Sequence, residues 1–188
     1  MLPLELALPL PRSLERRVPG SDAERVVAEL FAALRDPVLR YVTAMGLRSE
    51  EAEEIVQETF IALLRHLRLG RPRTNLRGWI FRVAHNLALK CRRRSGRTPL
   101  QSLEGAVSEA EGRPDPAPNP EEQLASGQRR VRLLAVVRAL PERDRSCLFM
   151  RAEGLGYREI AGALGVSLGW VCLSVKRSLD RLARVETA

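Results

Sequence analysis

Aromatic residues make up only 4% of this 188-residue chain, so its core must be built mainly from Leu, Ala, Val and Ile. Cysteine is scarce as well. Cys91, Cys147 and Cys172 stand far apart with no CxxC pair, which argues against a disulfide framework or a thiolate zinc site and suits a reducing compartment. Only two histidines occur, His66 and His85. No Ser/His/Asp or HExxH arrangement is present, and no glycine-rich phosphate loop follows a strand pattern. The six-residue offset from His85 to Cys91 places them on different helix faces. An enzyme is therefore not expected, nor a cofactor or metal. No stretch approaches the ~20 apolar residues of a membrane span. The opening MLPLELALPLPRSLERRVPGS lacks a basic start, carries Glu5 in its apolar run and is cut by Pro3, Pro9 and Pro11, so a signal peptide is not expected. No segment alternates in the manner of a half-buried strand.

What is present is charge, unevenly placed. The chain holds 31 basic and 23 acidic residues, a formal net charge of +8, and only Lys90 and Lys176 are lysines. Coding bias accounts for the choice of Arg over Lys but not for the distribution. Residues 49–64 carry five acidic groups and no cation, whereas residues 65–97 carry eleven cations and no anion. A block of that kind repels itself unless a polyanion neutralises it, and nucleic acid is the expected partner.

Hydrophobic periodicity divides the chain. Residues 1–21 read as a loosely ordered or docking extension. From Asp22, Val26, Val27, Leu30, Phe31 and Leu34 recur at helical spacing, and Asp36-Pro37 reads as a cap opening a new helix through Val38, Leu39, Val42 and Met45. Ser49 is the next candidate cap, ahead of an apolar face of Ala52, Ile55, Val56, Phe60, Leu63, Leu64 and Leu67. Gly70, Pro72 and Thr74-Asn75 mark a loop, and Trp79, Val83, Leu87 and Cys91, each four apart, predict the core face of a third helix. Residues 98–127 combine five prolines with six acidic groups, the composition of a flexible linker whose ends would lie about 30 Å apart on average. Residues 128–188 form a second helical unit. The expected fold class is all-α: two small helical domains, 22–97 and 128–188, joined by a flexible Pro-rich linker.

The last unit carries a helix-turn-helix signal in YREIAGALGVSLGWVCLSVK. Ala161 sits where two helices approach closely, and Gly165 where the turn needs positive φ. Ile160, Leu164, Val166 and Val171 lock the helices together, and Ser167 caps the second one, whose outer face would enter a major groove.

In this order, EEAEEIVQETFIALLRH, NLRGWIFRVAHNLALKCRRR and LPERDRSCLFMRAEGLGYREIAGALGVS resemble the extracytoplasmic-function (ECF) sigma factors of bacterial RNA polymerase. The likeness covers Ala23 to Arg97 and Val131 to Arg184. It implies a region 2-like bundle that binds core polymerase and helps open promoter DNA, and a region 4-like helix-turn-helix that reads the upstream element. Glu54, Gln57 and Glu58 would dock on the clamp helices of the β′ subunit. Arg71, Arg73, Asn75, Arg77, Trp79, Arg82, Asn86, Arg93 and Arg94 would hold the downstream element single-stranded, the loop Leu69–Asn75 capturing a flipped base. The four-residue spacing of Trp79 favours a core place for it over base stacking. Arg158, Ser167, Trp170, Ser174, Lys176 and Arg177 would serve the upstream element, with the unit leaning on the β flap.

The resemblance further implies promoter DNA and core RNA polymerase as partners, an anti-sigma factor as controller, and a cytoplasmic, nucleoid-associated place of action. Two departures stand out. Relatives usually show Gly-Thr-Val-Lys-Ser-Arg after the serine cap, where this chain has Gly169-Trp170-Val171-Cys172-Leu173-Ser174, and Lys90 replaces a usual aspartate. The rival expectation is a self-sufficient helix-turn-helix regulator, which would bind duplex DNA unaided.

Overall fold

The computed structural model describes residues 20–95 and 120–186, and within them every regular element is an α-helix. Residues 1–19 and 96–119, which include most of the expected extension 1–21 and of the expected linker 98–127, lie outside the described residues. The first unit holds α1 (Gly20–Ala44), α2 (Ser49–Arg68) and α3 (Leu76–Ser95). The second holds α4 (Pro120–Ala139), α5 (Glu142–Ala152), α6 (Tyr157–Leu164) and α7 (Leu168–Glu186). α4 thus begins inside the stretch 98–127 read as linker.

α1 corrects one expectation. Pro37 lies inside a continuous helix and does not open a new one. Proline removes a backbone donor and crowds the preceding turn. Here Leu34, Val38, Tyr41, Val42 and Met45 line one buried face across that point, and burying this face offsets the lost hydrogen bond. α2 also starts one residue earlier than expected, at the candidate cap Ser49 itself, so that Arg48 takes the cap position. The backbone N–H of Arg48, not Ser49, donates to Glu51 Oε2 at 3.1 Å. The face of α2 expected to be apolar is buried except for half-buried Leu64, with one polar addition, Thr59, whose hydroxyl donates to the Ile55 carbonyl at 2.7 Å.

α3 turns its core face differently from the prediction. Trp79, Val83, Leu87 and Cys91 are only half-buried, while Gly78, Ile80, Phe81, Ala84, His85 and Ala88 are buried. Trp79, Val83 and Leu87 flank the core, whereas Ile80 and Phe81 fill it beside the small Gly78, Ala84 and Ala88. At Gly78 a Cβ would come within 2.6 Å of the side chain of Asn75, the cap of this same helix. Tyr41 and Phe81 meet edge-on at 5.5 Å, and Phe31 and Phe60 at 5.0 Å, so four of the few aromatics knit the first bundle.

In the second unit α6 and α7 meet at 107°, within the helix-turn-helix range. Gly165 takes φ +67° at the turn, and Trp170 N–H donates to Ser167 Oγ at 3.2 Å, as the glycine and the serine cap predicted. Ile160, Val171 and Val175 are fully or almost fully buried beneath them. The two units also touch. α3 packs on α6, Arg40 forms a two-bonded ion pair with Glu153 at 2.6 and 3.1 Å, and Arg92 pairs with Glu142 at 2.6 Å. Among the described residues, no single helix is long and apolar enough to cross a membrane.

Candidate nucleic-acid interface

The acidic surface comes first along the chain. Glu54, Gln57 and Glu58 share one solvent face of α2, opposite the buried Ile55, Val56 and Phe60. All three are exposed, and their side chains take part in no hydrogen bond or ion pair among the described residues. Glu53, by contrast, is bound to Arg35 at 2.8 Å and ties α2 to α1. The face thus offers carboxylates with no internal partner.

The basic block from Arg65 to Arg94 is more varied than its composition implies. Arg71 is exposed and its side chain is unpaired among the described residues. Arg73 is bound to Asp22 at 2.7 Å, and Arg25 and Arg73 together hold that carboxyl below its usual range. Asn75 adopts φ +53°, and its Oδ1 accepts the Gly78 N–H at 3.1 Å, which caps α3. Its Oδ1 thus serves the helix start, while the residue itself stays exposed. Arg77 donates to the Glu153 carbonyl of the second unit at 2.6 Å. Trp79 lies half-buried against the core, with the His66 ring 4.7 Å away. His66 Nε2 donates to the Pro72 carbonyl at 2.9 Å, so this histidine fastens the loop to Trp79. Sequence reasoning gave it no role, because nothing in the spacing of His66 and Pro72 announces the bond. Arg82, Asn86, Arg93 and Arg94 are exposed on α3, and Lys90 joins them.

Asn86 and Arg93 also line a cavity of about 470 Å³ between the units, together with His85, Arg92, Glu142, Ser146 and Trp170. Beside it Tyr41 Oη and His85 Nδ1 are 2.8 Å apart in a buried pair, with Ser146 of α5 next to the phenol. Burial pushes the His85 imidazole down to about 4 and raises the Tyr41 hydroxyl, so both are neutral near pH 7.

On the second unit Arg158, Lys176 and Arg177 are exposed. Arg177 approaches Asp144 Oδ1 at 3.6 Å. Trp170 is half-buried towards the cavity. Ser174 corrects the expectation of an outward contact. It is fully buried and its hydroxyl donates to Asp144 Oδ1 at 2.7 Å, anchoring α7 to α5. Six positions beyond Leu168, its place in the helical period turns it inward, and the motif comparison had masked this. Burial likewise raises the Cys147 thiol, while Cys172 is exposed and all three cysteines are free.

Comparison with known proteins matches both units. Residues 30–98 fit the family model Sigma-70 region 2, and residues 130–182 fit Sigma-70, region 4. The chain is 32% identical over 155 residues to the ECF RNA polymerase sigma factor SigE of Mycolicibacterium smegmatis, an alignment spanning 82% of this chain and 59% of that protein. It is 26% identical over 172 residues to the ECF RNA polymerase sigma factor RpoE of Cereibacter sphaeroides, covering 90% of this chain and 91% of the relative. In fold it is similar to the sigma factor RpoE solved with the anti-sigma factor NepR from Bartonella quintana, with a TM-score of 0.58, 20% identity, and 88% and 98% of the two chains covered. A second solved relative, CnrH in complex with the cytosolic domain of CnrY, gives a TM-score of 0.57 at 19% identity, over 89% of this chain and 94% of that one.

Proposed function

The chain belongs to the ECF sigma factors of the sigma-70 family, and from that premise we propose that it acts as a non-catalytic specificity subunit that directs RNA polymerase to promoter DNA. The observation that carries this reading is the juxtaposition in one small bundle of an unpaired acidic face with residues 65–95, which carry ten cations and no anion. The acidic face, Glu54, Gln57 and Glu58, suits an Arg-rich partner and is assigned to the polymerase clamp. Exposed Arg71, Arg82, Arg93 and Arg94 are assigned to the downstream DNA strand. Exposed Arg158, Lys176 and Arg177 are assigned to the backbone of the upstream element.

Energetics require a larger machine. Opening about ten base-pair steps costs roughly 14 kcal/mol at ~1.4 per step. Stacking one or two captured bases returns about 2–6 kcal/mol. The isolated chain therefore does not melt a promoter, and polymerase supplies the remainder. This is why the reading favours a subunit over a self-sufficient regulator. Its place of work is the cytoplasm, at the nucleoid when transcribing, and its proposed controller is an anti-sigma factor, as the solved relative bound to NepR suggests.

In the present arrangement Arg77 and Arg92 are engaged with the second unit, and Asn86 and Arg93 face the cavity between the units. Full use of the downstream surface therefore requires the units to part. The test is transcription with core polymerase lacking its own specificity subunit. Charge reversal at Glu54 and Glu58 together should lower promoter-specific transcripts about a hundredfold or more, since like-charge juxtaposition costs several kcal/mol, while leaving the helical circular dichroism intact. Unchanged transcription would remove the docking assignment.

A further inference from the structure

The first two turns of α7 present little that can hydrogen-bond to a base edge. Ser167 is occupied as the cap, Trp170 turns towards the cavity, and Ser174 is buried against Asp144. What faces outward is Leu168, 42% exposed, Gly169, Cys172, and Leu173, 60% exposed. No guanidinium, amide or carboxylate is exposed from 168 to 173. Cations flank this apolar patch: Arg158 at the start of α6, and Lys176 and Arg177 one turn further along α7.

Gly169 adds a second observation. A Cβ at that position would meet nothing within 4 Å, so no packing among the described residues requires glycine there. Glycine within a helix nevertheless costs about 1 kcal/mol relative to alanine. Its missing side chain lets an outside surface come close to the helix backbone. Flanking cations hold phosphates and fix register, whereas sequence is read at base edges. In the major groove the apolar group on a base edge is the thymine C5-methyl.

We propose that Leu168 and Leu173, with Cys172 between them, read thymine methyl groups in the upstream promoter element, so that this chain selects its element by apolar contact where a hydrogen-bonded reader would use guanidinium or amide groups. The two leucines are five residues apart, about 7.5 Å along the helix axis, or about two base-pair steps. The contacted thymines, on either strand, then lie two or three steps from one another. This inference rests on the second unit reading the upstream element and adds how it does so.

The experiment uses the full chain assembled with core polymerase. Upstream elements are selected from a randomised library, then resynthesised with deoxyuridine replacing thymidine in that element alone. Uracil keeps every hydrogen-bonding group and lacks only the methyl. Selected elements should carry closely spaced thymines, and each uracil at a contacted position should weaken binding about fourfold. Leu173→Ser should bind a template with uracil at its contacted position as well as the thymine template, whereas Lys176→Ala should weaken both and keep their ratio. Equal binding of thymine and uracil templates by the unaltered protein would overturn the methyl reading, as it would if the apolar patch were a protein-docking surface. Promoter-specific transcription persisting in that outcome would leave the specificity-subunit reading standing. Absence of any polymerase-dependent transcription would remove both.

Discussion

α3 and α7 are helices of 20 and 19 residues on similar small bundles, yet they present opposite chemistries to solvent. α3 shows solvent Arg82, Asn86, Lys90, Arg93 and Arg94; the first turns of α7 show Leu168, Cys172 and Leu173. Charge acts over a Debye length and ignores sequence, while apolar contact acts at van der Waals distance and depends on which base is present. One helix is suited to holding a strand whatever its sequence, the other to choosing where to hold.

Salt should expose this contrast most strongly. With 6–10 phosphate contacts, affinity of the polymerase complex for promoter DNA falls about 10³–10⁵ between 50 and 200 mM salt. Replacing Arg82, Arg93 and Arg94 by Ala should flatten the log–log salt slope by about 2, at ~0.7 per single-strand contact, and Lys176→Ala by about 0.9 in duplex. The leucine substitutions at 168 and 173 should leave the slope untouched. Fluorescence anisotropy across a salt series reads all three, and a slope change in the leucine variants would erase the contrast.

Acid separates the units next. Both histidines lie in the first unit, and His85 is buried between Tyr41 and the cavity, with Arg92 and Glu142 close enough to act on it. Its folded pKa of about 4 lies below the unfolded value of 6.5. As pH falls from 6.5 to about 4, the unfolded chain takes the proton first. Stability is therefore full above 6.5 and is lost on the way down, by about 3 kcal/mol in all. Denaturation midpoints followed through Trp79 should fall over that window, and His85→Gln should flatten the profile. The second unit has no histidine to titrate there.

These contrasts mark what was legible in the sequence. Helix-forming periodicity, the Gly165 turn, the Ser167 cap and the cation-only block all depend on neighbouring residues, and such local signals survive into the fold. Ser174 and Pro37 depart from expectation because their places are set by tertiary neighbours. Ser174 meets an aspartate thirty residues away, and Pro37 is carried through by the burial of Leu34 and Val38. The α3 core face lies one position round from the expected stripe, because a four-residue spacing is met equally by Trp79, Val83 and Leu87 and by Ile80, Ala84 and Ala88, and only packing against neighbouring helices chooses the second. The contact between the units was not legible at all, since it joins Arg40, Arg77 and Arg92 to residues 113, 76 and 50 positions away.

Asp144 tests whether α7 needs its polar anchor. Removing its carboxylate by Asp144→Ala leaves the buried Ser174 hydroxyl without its acceptor, a loss of about 1–3 kcal/mol. Because each unit contains one tryptophan, Trp79 and Trp170, fluorescence of single-tryptophan variants assigns the loss. It should fall on the Trp170 transition, and an equal shift at Trp79 would mean that the two units unfold as one.

The smallest effect concerns how the two units that carry these helices are kept together. Glu153 receives both bonds from Arg40, whose side chain is largely exposed, and a pair of this kind contributes about 0.2–1 kcal/mol. Glu153→Ala should thus shift the balance of closed to parted units by about fivefold at most. The backbone bond from Arg77 to the Glu153 carbonyl survives the substitution, so the contact weakens without vanishing. Energy transfer between labels on α2 and α7 would report the shift. Promoter binding by the polymerase complex should rise by the same factor or less, because parting frees Arg77 and Arg92 on the cationic helix and Trp170 on the apolar one. If the label distance changes and promoter binding does not, the inter-unit contact leaves DNA access untouched, and the two surfaces act independently of how they are packed.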